Sequence, residues 1–234
     1  MHLFRTALAC GGLAAALAAP AAPVAAPVAD TLAQRLVPCT SCHGREGRAA
    51  PDGYHPRIAG KPAGYLYNQL LNFREGRRRY APMVYLVDPL SDAYLKEIAE
   101  HFAALELPYP PPAPAREGAE VLQRGEQLVR RGDATRELPA CTGCHGERLT
   151  GVAPAVPGLL GLPRDYLGAQ LGAWVSGQRR AQAPDCMATI ARKLTPADVA
   201  AVTAWLASRP VPEPAKAAAA FDHPPPLECG GLPR

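Results

Sequence analysis

The sequence predicts an all-α protein made of two similar domains in tandem, each a small helical bundle. Two stretches align with an offset close to a hundred residues, apolar residues recur at helical rather than strand spacing in both, and a proline-rich run lies between them. Cys39-Thr-Ser-Cys42-His43-Gly44 recurs as Cys141-Thr-Gly-Cys144-His145-Gly146, and Pro56-Arg-Ile-Ala-Gly60 recurs as Pro157-Gly-Leu-Leu-Gly161. Pro62, Tyr65, Leu66, Gln69, Leu70, Gly76, Arg78 and Arg79 match Pro163, Tyr166, Leu167, Gln170, Leu171, Gly177, Arg179 and Arg180, each 101 positions on. Chance does not produce that register.

The elements follow in chain order. Met1 to Arg5, followed by an Ala/Leu-rich run to Ala19, has the shape of a secretory signal with small-residue cleavage sites between Ala18 and Ala26. Residues 1–26 are therefore read as a signal peptide, with Cys10 discarded inside it. The run is too weakly hydrophobic, and too interrupted by Pro20, Pro23 and Pro27, to read as a membrane span. A first domain spans 30–107. Here Asp30 is expected to cap a short helix that carries Leu32 and Leu36 and ends near Pro38; Tyr65, Leu66, Gln69, Leu70 and Phe73 form a helix ending at Gly76; Ser91 caps another with Leu95, Ile98 and Phe102 inward. Residues 108–115, with Pro108, Pro110, Pro111, Pro112 and Pro114, favour a stiff extended linker. The second domain, 116–208, repeats the plan. Val121, Leu122, Leu128 and Val129 lie on its opening helix, Tyr166, Leu167, Gln170, Leu171 and Trp174 on a middle one, and Thr195-Pro196 opens the last, with Val199, Val202 and Leu206 on one face. Residues 209–234 read as an irregular Pro/Ala-rich tail.

Composition limits what these domains can build. Hydrophobic residues make up 48%, but aromatics only 6%, and there are 27 prolines, so side chains alone leave thin cores that a flat apolar group would fill. The net charge of +4, part of it in the signal, gives no reason to expect nucleic acid as a partner. The basic run from Arg74 to Arg79 reads as a solvated helix end or a docking patch.

The chemistry concentrates in the repeated C-x-x-C-H motif. In it two cysteine sulfurs reach the two vinyl groups of one haem, and the adjacent histidine turns inward to ligate the iron. A disulfide, a dithiol redox pair or half a zinc site would use the same cysteine spacing. The histidine in both copies, and a ligand candidate downstream of each, favour haem. Cys39, Cys42, Cys141 and Cys144 are thus expected to bind two covalently attached haem c groups, with His43 and His145 as iron ligands. The chain has three methionines including the initiator, and the other two are Met83, forty residues after His43, and Met187, forty-two after His145. Each is placed in a loop before the last helix of its half and is expected to be the sixth iron ligand. With both axial positions filled, outer-sphere electron transfer is favoured over reaction at iron.

These residues resemble the dihaem cytochrome c4 type, built from two class I cytochrome c domains, over most of 30–207. The resemblance implies a periplasmic carrier passing single electrons between a redox-protein donor and acceptor, such as a dehydrogenase and a membrane oxidase, with possible peripheral membrane association. It also implies that the carbonyls of Pro56 and Pro157 accept hydrogen bonds from the proximal histidines. The family's usual Gly-Gln stands here as Gly60-Lys61 and Gly161-Leu162, which marks a divergent member.

Other residues leave alternatives open. Cys186 and Cys229 can form a disulfide, or Cys186 can supply a thiolate to the second iron, as in dihaem oxidoreductases acting on small sulfur compounds. A third reading is a cytochrome subunit of a larger dehydrogenase, with the tail as its docking segment. His55, His101 and His223 are expected at the surface. Arg78, Arg79, Arg179 and Arg180 can pair with haem propionates or simply cap helix ends.

Overall fold

A computed structural model describes residues 30–232, so the signal segment lies outside the described residues. The first half comprises α1 (Leu32–Arg35), α2 (Val37–His43), α3 (Ala63–Arg74), α4 (Ala81–Val87) and α5 (Asp92–Ala103). The second comprises α6 (Ala119–Arg131), α7 (Thr142–His145), a two-strand hairpin of β1 (Gly151–Val152) and β2 (Val156–Pro157), α8 (Arg164–Val175), α9 (Cys186–Lys193) and α10 (Pro196–Ala207). Leu66, Phe73, Leu95, Ile98 and Phe102 centre one core, and Leu128, Val129, Leu167, Val202 and Trp205 the other.

Three local expectations need correction. Thr31, not Asp30, caps α1: its hydroxyl accepts from the Gln34 amide at 3.3 Å, while the Asp30 carboxylate is drawn 2.6 Å to Arg35. Pro38 does not end a helix but lies in the first turn of α2, where its missing N–H removes no hydrogen bond, so the cysteine motif is itself helical. Met83 and Met187 lie on α4 and α9 rather than in loops. Pro82 occupies the opening turn of α4, and the Asp185 carboxylate caps α9 by accepting from the Ala188 amide at 3.0 Å.

In the second half α6 packs on α10 at Gly125. A side-chain carbon there would come within 2.2 Å of the Ala201 carbonyl oxygen, so only glycine permits the approach. A polar network fixes the start of α10. The buried Asp198 carboxylate accepts from Arg136 at 2.7 Å, from the Thr195 hydroxyl and amide at 2.8 and 3.1 Å, and from Arg124 at 3.0 Å, closing a capping box with Thr195.

The two halves meet through α3, α8 and the segments that follow them. The Arg79 amide donates to the Gln178 carbonyl at 2.8 Å, and the Arg180 amide to that of Arg77 at 2.7 Å. Arg78 donates to Gln69 and Gln170 at 3.2 and 2.7 Å, and Arg179 donates to the same two at 3.0 and 2.8 Å. Each arginine thus bridges the glutamine of its own half and that of the other, an arrangement related by the 101-residue repeat.

The connector is pinned at its start. Buried Arg57 donates to the carbonyls of Leu107 and Pro108 at 2.5 and 3.1 Å and lies 3.9 Å over the Tyr109 ring. Beyond α10 the chain is irregular yet tied down: Ala218 exchanges hydrogen bonds with Gly151 and Ala153 at 2.9 and 2.8 Å, Cys229 is bonded to Cys186, and Gly231 accepts from Asn68 of α3 at 2.8 Å.

Burial opposes ionisation of Asp198, but hydrogen bonds from Arg136, Thr195 and Arg124 outweigh it and hold the carboxyl below its usual range. A folded-state pKa below the unfolded value contributes stability that is complete above about pH 4 and is lost as pH falls further. Asp198→Asn is expected to cost about 2 kcal/mol at pH 7 in urea unfolding, and the difference from wild type should shrink below about pH 4.

Candidate functional site

Each half delivers a histidine to the interior at the end of a short helix. His43 closes α2 and His145 closes α7, and both are buried. The following glycines, Gly44 and Gly146, have φ of 76° and 80°, which turns the chain out of the helix where a side chain would be strained. At Gly44 an added carbon would also meet the Ala49 carbonyl oxygen at 2.2 Å.

His43 Nδ1 lies 2.8 Å from the Pro56 carbonyl oxygen, and His145 Nδ1 lies 2.8 Å from that of Pro157. A carbonyl only accepts, so Nδ1 carries the proton and donates, leaving Nε2 with a free lone pair. Burial pulls both imidazole pKa values down despite these hydrogen bonds, so both rings are held neutral, the form that binds iron. The cysteines beside them are poor thiolates. Burial pushes the Cys141 thiol up to about 12 and raises those of Cys39 and Cys144, opposite to what a dithiol redox pair needs. Among the described residues no three His, Cys, Asp or Glu side chains gather to hold a metal ion without haem.

A continuous cavity of about 1120 Å³ runs through both halves and is lined by His43, His145, Met83, Met187 and all four motif cysteines. Its donor set is two imidazoles and two thioethers, with sulfurs beside each imidazole, and its walls are mostly apolar, which fits two flat macrocycles anchored at one edge. Arg78 and Arg179 also line it, and both donate to Gln69 and Gln170 at the junction of the halves, a contact that local sequence does not signal. His55 is engaged by Asp52 at 2.6 Å, and His223 is exposed. Cys186 is bonded to Cys229, and in that form it offers no thiolate to an iron beside Met187.

Paired helical halves, each with a C-x-x-C-H helix whose histidine is braced by a prolyl carbonyl and faces a methionine-lined cavity, define a c-type cytochrome. The cytochrome c family model matches residues 122–210. The chain is 39% identical, over 78% of its length and 82% of the relative's, to a thiosulfate dehydrogenase electron acceptor of Thiomonas intermedia. It is 32% identical, over 74% of its length and 84% of the relative's, to cytochrome c4 of Pseudomonas aeruginosa. The crystal structure of reduced cytochrome c4 from Pseudomonas stutzeri superposes with a TM-score of 0.65 at 28% identity, covering 75% of this chain and 95% of that one. The chain belongs to the dihaem cytochrome c4 family. It carries covalently attached haem c and transfers single electrons between redox proteins, with no substrate chemistry of its own.

The Cys186–Cys229 bond closes a loop of 43 residues across the second crevice. Replacing both cysteines with serine is expected to lower stability by about 2–4 kcal/mol in urea unfolding and to leave two haems per chain by pyridine haemochrome assay.

Proposed function

We propose that His43 and Met83 ligate one haem iron and His145 and Met187 the other, with thioethers to Cys39 and Cys42 and to Cys141 and Cys144. The observation that carries this is the repetition, at equivalent positions of two halves, of a buried imidazole braced by a prolyl carbonyl and a methionine on the next short helix, all lining one cavity. The haem, when bound, supplies the one-electron ferric–ferrous couple. The chain's own part is to fix each imidazole through Pro56 or Pro157, to oppose it with a thioether that favours the ferrous state, and to shield the pair with apolar walls.

The electron donor is a dehydrogenase acting on a small sulfur compound, with thiosulfate the leading candidate, and the acceptor is a membrane oxidase or a further carrier. The likeness to thiosulfate dehydrogenase electron acceptors supports this reading. Export to the periplasm rests on the leader-like segment before Ala26. Among the described residues no helix is long and apolar enough to cross a membrane.

In the oxidised protein, the near-infrared methionine-to-ferric-haem band is expected at two equivalents per chain; one equivalent would hand an iron to another ligand. Met83→His should remove one of the two and lower one reduction potential while both haems stay attached. In stopped flow, both haems should be reduced by a purified thiosulfate dehydrogenase with thiosulfate and remain oxidised with thiosulfate alone. Reduction without the enzyme would make the chain itself the dehydrogenase.

A further inference from the structure

Lys61 is a buried cation without an anion. It is 5% exposed, lines the cavity, and its ammonium donates to the Gly158 carbonyl at 3.1 Å; among the described residues it forms no ion pair. Its backbone belongs to the first half, but Gly158 follows Pro157, whose carbonyl is the one that holds His145. The charge is therefore delivered across the junction to the proximal side of the second crevice. Burial and the nearby Arg57 pull its pKa down to about 8, so the amine remains protonated at neutral pH.

No repeat-related counterpart of Lys61 serves the first crevice. The repeat places Leu162 opposite Lys61 and Gly158 opposite Arg57, so the second half sends neither cation back. Arg78 and Arg179 are related by the repeat but do not act alike: half-buried Arg78, engaged by Gln69 and Gln170, lies near enough to His43 to lower its pKa, whereas the cation felt by His145 is Lys61. Arg57 is held by carbonyls at the connector and stacked on Tyr109, on the side of the first half.

We propose that Lys61 is a positioning residue of the electron-transfer reaction that raises the reduction potential of the second haem selectively, by placing a fixed positive charge beside the backbone that holds His145. Adding one electron to the iron lowers the charge of the site by one. A cation in a low-dielectric cavity stabilises that reduced state more than the oxidised one. The difference in potential between the two haems then arises in part from one side chain that the first half lends to the second, and it biases the transferred electron toward the second haem. The inference rests on the ligand assignment above.

The test is a potentiometric titration of the intact dihaem protein and its Lys61→Gln and Lys61→Arg variants, each repeated with Met83→His. That substitution drives the first haem's step to lower potential and so identifies the second haem's. Glutamine keeps a donor for Gly158 and removes the charge; arginine keeps the charge. Lys61→Gln is expected to shift the second haem's one-electron equilibrium toward ferric by about threefold to tenfold, up to about 59 mV, and to leave the first haem's step in place. Lys61→Arg should stay close to wild type, and the near-infrared band should persist in both. Lys61→Met is the alternative neutral variant where glutamine impairs folding. An unmoved second step, equal movement of both steps, or an arginine variant that moves as far as glutamine would overturn the proposal. Loss of the methionine bands in the parent protein would instead overturn the ligand assignment.

Discussion

Neither half of this chain can fill its own centre. With 6% aromatic residues, the helices leave a cavity of about 1120 Å³ where a protein of this size would ordinarily bury side chains, and everything else is arranged around that space. The two motif helices end at its wall because the histidine must be buried while its cysteines stay near the edge. The glycine after each histidine lets the chain leave at once, and the prolyl carbonyl opposite gives the buried Nδ1–H the partner that an apolar cavity cannot. Without the haems these walls would lose their main packing partner, so covalent attachment is part of the folding of the domains as well as of their function.

The duplication creates a junction that is nearly symmetric. Two arginines and two glutamines, one of each from either half, close a ring of hydrogen bonds that neither half could make alone. Burying guanidinium groups costs solvation, and the glutamine oxygens return only part of it. The rings of Phe73 and Trp174, 4.5 and 3.9 Å from the guanidinium groups of Arg78 and Arg179, return part of the remainder. Together with the backbone bonds from Arg79 to Gln178 and from Arg180 to Arg77, this ring ties the two crevices to one another.

Much of this was legible in the sequence, for identifiable reasons. The C-x-x-C-H motif is five consecutive residues, and its duplication predicts two crevices, each of which receives a buried histidine in the structure. The methionines stood out only because they are scarce. Their helices did not, since α4 and α9 are seven and eight residues long, too short for periodicity to show, and are set by Pro82 and the Asp185 cap. Thr31 and Asp30 are both good caps, and sequence could not reveal that Arg35 would claim the aspartate. The Cys186–Cys229 bond is one of the alternatives that cysteine counting leaves open, whereas the arginine ring and the reach of Lys61 join residues roughly 90 to 110 positions apart that no local pattern pairs.

Lys61 sets the thermodynamic question most sharply. An ammonium taken out of water without an anion costs about several kcal/mol, and a neutral side chain of similar length would relieve that cost. The second half shows that the fold accepts one, because Leu162 occupies the equivalent position. Leu162 packs into the apolar core of the second half, whereas the Lys61 ammonium makes its hydrogen bond across the junction. What the lysine adds is a field, and the Gly158–Pro157 backbone carries that field to the imidazole of one haem and not the other. In a carrier whose halves descend from one plan, such a difference separates two otherwise similar redox centres and gives the electron a preferred resting place.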